Sequence, residues 1–242
     1  MRPQTHLRAR FAVAGLVALA GTTTVAASPA AGQTQYRGSA PANLTSTPQG
    51  GSEAPAARTA STLSIGTVRT NVLLGRSATV RGSISPRRAG RSVRLQRKGA
   101  RGWSTVARAR TAAGGRFTVG LTPRATGSAA IRVLVAGDPH AGPAREGAGR
   151  LNVFRRAFAS WYGPGLYGNK LGCGGRLTPG TIGVAHKTLP CGARITLRHG
   201  SRILRVRVVD RGPYVGGREF DLTAATKQAL GFGSTGYVQT TR

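Results

Sequence analysis

Short segments of alternating apolar and polar residues, separated by glycine- and proline-rich turns, dominate this sequence. The 242 residues include 36 Gly and 13 Pro, so the chain must turn often. Five segments follow one another at intervals of roughly 10–12 residues, a spacing typical of a β-sandwich: SATVRGSI (77–84), RSVRLQR (91–97), WSTVARA (103–109), GRFTVGL (115–121) and AAIRVLVAG (129–137). We therefore predict a mainly β protein with a β-sandwich over residues 62–153.

Individual residues indicate where the core of this sandwich lies. Val93 and Leu95 alternate with polar neighbours and are expected to face the core, as are the aromatic residues Trp103 and Phe117. The Ala-Ala-Gly-Gly stretch at 112–115 predicts a hairpin-like link between the third and fourth segments. Three further residues indicate a Gly/Pro-rich loop rather than a metal site: Asp138, His140 and Glu146. The segment resembles the small immunoglobulin-like modules that precede catalytic or wall-binding domains in secreted actinobacterial proteins.

The N-terminus has the pattern of a secretory signal peptide over residues 1–27. Basic residues precede an apolar stretch, FAVAGLVALA (11–20), which is too short to span a bilayer. Val-Ala-Ala at 25–27 fits a cleavage site, and an uncleaved anchor or a buried helix is the alternative. Residues 28–61, rich in Ala, Ser, Thr, Gly and Pro, predict a disordered linker. We expect a secreted protein with no membrane span after cleavage.

The net charge of +30 requires either a polyanionic partner or a solvent explanation. Basic residues are spread along every segment, and no basic run interleaved with aromatic residues stands out, so nucleic acid is not the expected partner. For an exported protein the accessible polyanions are cell-wall polymers and anionic lipid head groups. The alternative is a G+C-rich genome that encodes Arg at solvated positions.

Residues 156–242 differ from the sandwich in their pattern. RITLRHGSRILRVRVVD (194–210) predicts two strands joined by a His-Gly turn. DLTAATKQALGF (221–232) predicts one helix that stops at Gly231, and TGYVQTT predicts a last strand. An even number of cysteines in an exported protein predicts a disulfide rather than a zinc site, and the chain has two of them: Cys173 and Cys191.

Acid–base chemistry in this second domain must draw on a short set of side chains: Asp210, Glu219, Asp221, His186 and His199. Cleavage of a glycosidic bond needs at least one carboxyl group to protonate the leaving oxygen. Each candidate also has a structural interpretation. Asp210 would accept backbone N–H groups at a strand end or pair with Arg211, and Asp221 would be a helix N-cap. His186 would be a partly buried loop residue and His199 a solvated one.

Six motifs in this region carry a specific resemblance: ASWYG (159–163), YGNK (167–170), GVAHKTLPCG (183–192), VRVVDRGPY (206–214), GREFDLT (217–223) and ALGF (229–232). Their order and spacing resemble the double-psi β-barrel domain of the rare lipoprotein A family. The resemblance implies a six-stranded barrel over residues 156–242. Better-known bacterial members are lytic transglycosylases that cleave peptidoglycan glycan strands and form an anhydro-sugar. Related barrels occur in expansins and in family 45 endoglucanases.

The resemblance also implies roles for individual residues. His186 matches the histidine of the AHKTLP motif, and Asp210 matches the aspartate of DRGP. Both would be catalytic, with Asp210 as the acid/base and His186 orienting it or hydrogen-bonding the substrate. Four residues would bind substrate, with the WYG aromatic as a sugar-stacking platform: Tyr162, Asp221, Arg211 and Tyr214.

The chain departs from the lytic members at one position. Those members carry a Glu eleven residues before the histidine, where this chain has Gly175. Two functions are therefore expected. The first is cleavage of peptidoglycan glycan strands, and the alternative is a non-catalytic, expansin-like or wall-polymer-binding module. Wall glycans are the expected partners, with anionic wall polymers as further candidates, and the expected location is the cell wall. Neither function implies a metal or an organic cofactor.

Overall fold

The computed structural model describes residues 57–242, so the expected signal peptide and almost all of the expected linker lie outside the described residues. The first part of the chain forms seven strands and begins an eighth: β1 (Thr62–Arg69), β2 (Asn71–Leu73), β3 (Ala78–Ser85), β4 (Ser92–Gly99), β5 (Gly102–Arg110), β6 (Arg116–Leu121), β7 (Gly127–Val135) and β8 (Ala144–Tyr162). Their order confirms the mainly β fold that the alternating pattern predicts.

These strands form two sheets around one apolar core. One sheet has the order β1-β3-β6, and the other runs β5-β4-β7-β8 with β2 added beside β8. Residues at alternate positions of β3, β4, β6 and β7 are excluded from solvent and pack into one cluster. Val93 and Leu95 are 0% and 1% exposed, as their alternation predicts, and Phe117 is 4% exposed. Aliphatic side chains therefore supply most of this core.

Two predictions about the sandwich are wrong. Trp103 is only partly buried, because its ring lies outside the core under the guanidinium of Arg132, 4.2 Å from the ring centroid. The stretch 112–115 does not close a hairpin, because β5 pairs with β4 while β6 pairs with β3 in the opposite sheet. A short 3₁₀ turn, Ala113–Gly115, carries the chain from one sheet to the other. Two consecutive glycines with positive φ permit that turn.

Strand β8 is shared by both parts of the described chain. It is 19 residues long, and its first half pairs with β7 and β2. Its second half pairs with β12 (Phe220–Thr223) and β13 (Gly236–Thr240). The boundary expected between residues 153 and 156 therefore falls inside a continuous strand rather than in a loop. Glu146 also lies in β8, not in the preceding loop that holds Asp138 and His140.

The second half of β8 and five other strands close into a barrel. The other new strands are β9 (Val184–Ala185), β10 (Arg194–His199) and β11 (Arg202–Asp210). Each of the six strands pairs with two neighbours, in the cyclic order β8-β12-β9-β11-β10-β13. The β12–β8 and β11–β9 pairs are parallel and the others antiparallel. This closed arrangement confirms the expected six-stranded barrel.

The helix of the barrel domain, α1 (Ala224–Leu230), is shorter than the predicted segment 221–232. Its N-cap is Thr223, whose hydroxyl accepts a hydrogen bond from the Thr226 N–H. The structural alternative that made Asp221 the N-cap is wrong, because Asp221 is still part of β12. Gly231 ends the helix in the left-handed conformation, as predicted. No helix among residues 57–242 is long and apolar enough to cross a membrane.

Candidate functional site

Four residues form a row across four neighbouring strands of the barrel. Asp210 of β11 lies beside Ala185 of β9, Ala185 beside Asp221 of β12, and Asp221 beside Ser160 of β8. The two aspartates are thus separated by one strand, and their Cα atoms lie about 10 Å apart at the usual strand spacing. The two carboxylates lie near each other because β11 and β12 both pair with β9.

The row faces outward from the barrel. On β12 the neighbours of Asp221 are Phe220 and Leu222, both 0% exposed and part of the barrel core. Successive side chains of a strand point to opposite faces, so Asp221 points away from that core. A register shift between Val208 and Asp210 interrupts the alternation of β11. This bulge brings Asp210 into the same row as Asp221.

Neutral donors hold the carboxylate of Asp210. Its Oδ1 accepts hydrogen bonds from the backbone N–H groups of Gly172, at 2.6 Å, and of Arg211, at 2.8 Å. A side chain at position 172 would not fit, since a Cβ there would lie 3.0 Å from that same Oδ1 and 2.9 Å from the Cγ of Arg211. The backbone contacts expected of a strand-end aspartate are therefore present, and they fix one oxygen of Asp210 in place.

The expected disulfide anchors the loop that carries Gly172. Cys173 and Cys191 are bonded, with their Cα atoms 5.4 Å apart, and the N–H of Cys173 donates to the Val209 carbonyl. Gly175 lies in the same loop with a φ of 75°, and a Cβ at this position would meet no atom within 4 Å. The position of the missing family Glu is therefore open.

Asp221 is also held by a neutral donor. The hydroxyl of Ser160 donates to its Oδ1, and the Ser160 oxygen in turn accepts from the guanidinium of Arg218 at 3.1 Å. Sequence reasoning missed Ser160 and Arg218. Only the pairing of β8 with β12, which joins residues about sixty positions apart, places Ser160 beside Asp221.

Tyr162 lies at the C-terminal end of β8, near both aspartates. Burial, followed by the negative charge of Asp210, a hydrogen bond to Asp210 and the charge of Asp221, raises the pKa of the Tyr162 hydroxyl well above its ordinary value of 10.0. The hydroxyl therefore remains protonated at neutral pH and is a buried O–H donor near both carboxylates.

His186 binds Asp210 through its backbone, whereas its imidazole ring contacts other residues. Its N–H donates to the Asp210 carbonyl at 3.1 Å. The Nδ1 atom accepts from the N–H groups of Thr188 and Leu189, and the ring centroid lies 5.0 Å from that of Phe220. Burial lowers the pKa of His186 below its ordinary value of 6.5, and nearby Arg and Lys charges add to this against the opposing charge of Glu219. The imidazole is therefore neutral at pH 7.

Glu219, to which the sequence assigned no role, lies beside this imidazole. Its Oε1 is 4.0 Å from the Nε2 of His186. Both of its carboxylate oxygens accept from the guanidinium of Arg155, at 2.6 and 2.8 Å. The barrel thus contains two polar groups: the row of Asp210 and Asp221 with Tyr162, and the group of His186, Glu219 and Arg155. The sequence signal for Glu219 was its place among the few carboxylates of the second domain and in the motif GREFDLT (217–223).

The two remaining predicted site residues have contrasting environments. The guanidinium of Arg211 donates to the carbonyls of His186 and Leu189, and lies 2.8 Å from the Sγ of Cys191. Arg211 therefore holds the loop between β9 and β10. Tyr214, on the loop after β11, is 82% exposed, and so presents an aromatic face to solvent. His199 packs edge-on against Phe232, 5.4 Å between ring centroids, rather than standing free in water.

Comparisons with known proteins find relatives of the barrel domain. The family model described as "Lytic transglycolase" matches residues 156–241. A probable endolytic peptidoglycan transglycosylase RlpA of Synechocystis is 39% identical over 94 residues, which are 38% of this chain and 29% of that protein. The endolytic peptidoglycan transglycosylase RlpA of Neisseria meningitidis is 41% identical over 80 residues, 32% of this chain and 34% of that protein.

The RlpA protein of Aquifex aeolicus, also named a probable endolytic peptidoglycan transglycosylase, is 42% identical over 79 residues. These 79 residues are 31% of this chain and 34% of the Aquifex protein. The chain thus spans about a third of the length of the curated relatives it matches. The matched part coincides with the closed six-stranded barrel. Residues 156–241 are therefore a double-psi β-barrel domain of the RlpA type.

Proposed function

We propose that this protein acts on the glycan strands of peptidoglycan and cleaves the glycosidic bond in the manner of a lytic transglycosylase. The observation that carries the proposal is the outward-facing row of Asp210 and Asp221 with the protonated Tyr162 hydroxyl near both carboxylates. Two carboxylates beside one O–H donor form an arrangement suited to a sugar chain lying across the strands. A secreted, wall-associated location is part of the same proposal.

In the proposed reaction Asp210 protonates the glycosidic oxygen as the bond to the anomeric carbon breaks. Its Oδ1 is occupied by two N–H donors, so Oδ2 is the oxygen that carries the proton. Asp221, one strand further across the barrel, faces the positive charge that develops on the sugar. An internal sugar hydroxyl then attacks the anomeric carbon and returns its proton to Asp210, which closes the anhydro ring without an activated water.

The remaining predicted residues position the substrate in this proposal. The exposed ring of Tyr214 stacks on a sugar, and the protonated hydroxyl of Tyr162 donates a hydrogen bond to the glycan near the scissile bond. His186 is a positioning residue, because its backbone N–H holds the end of β11 and its neutral ring fixes the following loop. Arg211 acts in the same way through the carbonyls it binds.

The test is a digest of purified peptidoglycan, analysed by mass spectrometry. We expect anhydro-muropeptides from the parent protein and none above background from Asp210→Asn. The matched control is Glu146→Gln, which removes one exposed carboxylate from the sandwich half of β8, away from the aspartate row. This variant should release products at the parent rate. Products from Asp210→Asn at the parent rate would contradict the assigned role.

A second function is favoured by one observation, the Gly at position 175 where the lytic members carry Glu. A module without that carboxylate would bind or loosen the wall and cleave nothing. Such a protein would sediment with insoluble wall, release no soluble products, and lose wall binding when Tyr214→Ala removes the exposed aromatic ring. Product formation by the parent protein rules this second function out.

A further inference from the structure

A cluster of arginines lies at a cavity of about 390 Å³ that is lined by residues of the barrel and of the sandwich. Arg194 of β10 and Arg205 of β11 line it from the barrel, and Ser128 of β7 lines it from the sandwich. Both arginines are exposed on the outer face of their strands. The cavity therefore has a positively charged wall that is accessible from solvent.

The strand register places like charges directly opposite each other here. Arg194 faces Arg207 across the β10–β11 pair, and Arg205 faces Thr196 two residues further along, on the same face of the sheet. Like charges at directly opposed positions destabilise a strand pair. Three guanidinium groups therefore share this small surface, and their mutual repulsion opposes the β10–β11 pairing.

A fourth guanidinium approaches from the sandwich side. The Nε of Arg150 donates to the Ser128 hydroxyl at 3.2 Å, and its terminal nitrogen donates to the Ser128 carbonyl at 3.1 Å. Desolvation, together with the positive charges of Arg150 and Arg194, lowers the pKa of Arg205. Arg150 is therefore fixed close enough to add its charge to the same cavity.

The acidic side chains of the described residues lie elsewhere, and the cavity lining includes one more guanidinium, that of Arg242. Among residues 57–242 there are five acidic side chains, and none of them lines this cavity. Asp138 pairs with Arg91 and Glu219 pairs with Arg155, Glu146 lies on β8, and Asp210 and Asp221 belong to the aspartate row. The arginine cluster is thus left for an external anion.

We propose that Arg150, Arg194, Arg205 and Arg207 bind the phosphate groups of an anionic phosphodiester polymer of the cell wall. Guanidinium forks bind phosphate oxygens bidentately, and a polymer that repeats its phosphates matches an array of arginines. The described lining of the cavity includes no aromatic side chain, so the stacking that single-stranded nucleic acids require is missing here. The proposal does not require the barrel to cleave glycan.

The position of the cluster on β11 relates it to the aspartate row. Arg207 and Arg205 lie three and five residues before Asp210 on the same strand. At the usual rise of a strand they are about 10 and 17 Å from Asp210 along the chain. A wall polymer held at the arginine cluster would thus keep the outer face of the barrel against the wall.

The test measures binding of poly(glycerol phosphate) to the purified full chain. Arg194→Gln with Arg205→Gln should weaken binding by at least about tenfold, since a hydrogen bond to a charged group is worth roughly that factor. The matched control, Arg94→Gln with Arg108→Gln, removes two charges from a directly opposed, exposed pair on β4 and β5. It should change binding by less than about threefold, because it alters only the long-range field.

Further measurements separate a phosphate site from general attraction. Arg194→Lys with Arg205→Lys keeps the charge and loses the guanidinium fork, so it should bind with intermediate affinity. Wall stripped of its phosphodiester polymers should retain less protein than untreated wall. Equal losses in the Gln variant and the Arg94/Arg108 control would overturn the proposal, as would unchanged binding to stripped wall. Tighter binding to a DNA of the same charge than to poly(glycerol phosphate) would also overturn the proposal. If the Gln variant unfolds, the Lys variant and the stripped wall still test the phosphate site.

Discussion

The sandwich and the barrel use their few carboxylates in different ways. In the sandwich, Asp138 forms an ion pair with the buried guanidinium of Arg91 at 3.0 Å, and the N–H of His140 lowers the pKa of Asp138. In the barrel, Asp210 and Asp221 are held by backbone N–H groups and a serine hydroxyl, so their charges are not neutralised. In the proposed function, the acid that is paired with arginine supports structure, whereas the acids held by neutral donors stay available to the substrate.

Glu219 extends the comparison, because it lies in the barrel but resembles the acids of the sandwich. Its bidentate pair with Arg155 joins the loop before β12 to β8. By the same reasoning, we propose that Glu219 supports the imidazole of His186 and that it is not the acid of the proposed reaction. The predictions below test this division between paired and unpaired acids.

The largest expected effect separates two carboxylates only two residues apart. Asp221→Asn should lower the rate of anhydro-muropeptide release by at least about 100-fold, the usual scale for a lost acid–base or charge-stabilising group. Glu219→Gln, the matched control, should lower the rate by less than about tenfold because it acts only through His186. Initial rates from digests of the same peptidoglycan give both values. Equal losses in the two variants would contradict the comparison.

The second prediction concerns the disulfide, which the sandwich lacks. Cys173→Ser with Cys191→Ser should lower the free energy of unfolding by roughly 3 kcal/mol, because the unfolded chain gains loop entropy. Product release should also fall, since the loop that presents the Gly172 N–H to Asp210 loosens. Urea unfolding should give the same free energy of unfolding for this variant as for the parent protein under reducing conditions. A variant with parent stability would refute the structural part, and undiminished activity would refute the link to Asp210.

A smaller effect is expected from restoring the family carboxylate. Gly175→Glu places an unpaired acid in open space beside the row, at a cost of about 1–2 kcal/mol because φ is positive. We expect product release to rise above that of the parent, as measured by mass spectrometry. Gly175→Gln carries the same strain without the charge and should give no increase. An equal gain in both variants would show that the loop, rather than the acid, sets the rate.

The smallest effect is a pH dependence of stability that originates in the barrel. Since burial lowers the pKa of folded His186 below 6.5, the unfolded chain binds the proton more readily. The contribution of His186 to stability is therefore complete above about pH 6.5 and declines as the pH falls through its lowered pKa. Thermal unfolding between pH 5 and 8 should show this slope in the parent and not in His186→Asn. The same slope in both proteins would assign it to another group.

The sequence predicted elements well where one segment contains the whole signal. The alternation in β4 placed Val93 and Leu95 in the core, and the His-Gly turn between β10 and β11 lies where it was expected. The disulfide required only two cysteines in an exported chain and is present. Motif resemblance identified the barrel. These features depend on local periodicity or on residue type, both of which can be read along the chain.

Errors arose where distant segments compete for the same residues. Trp103 has a side chain typical of a core, but Arg132 and Lys98 on its own sheet provide an alternative cover. The glycines at 112–115 indicate a turn without indicating which strand follows in space. Asp221 precedes a helix, yet pairing with β8 keeps it in a strand and leaves the cap to Thr223.

The sequence by itself determined the class of fold, the positions of most strands, the disulfide and the short list of residues from which any chemistry must come. Only the tertiary structure decided which of those residues meet. The row of Asp210, Asp221 and Ser160 depends on the β11–β9, β12–β9 and β12–β8 pairings, and the arginine cluster depends on β7, β8, β10 and β11. The physical reason is that side-chain alternation is a local property of a strand. Register between distant strands is fixed by the closure of the sheet as a whole.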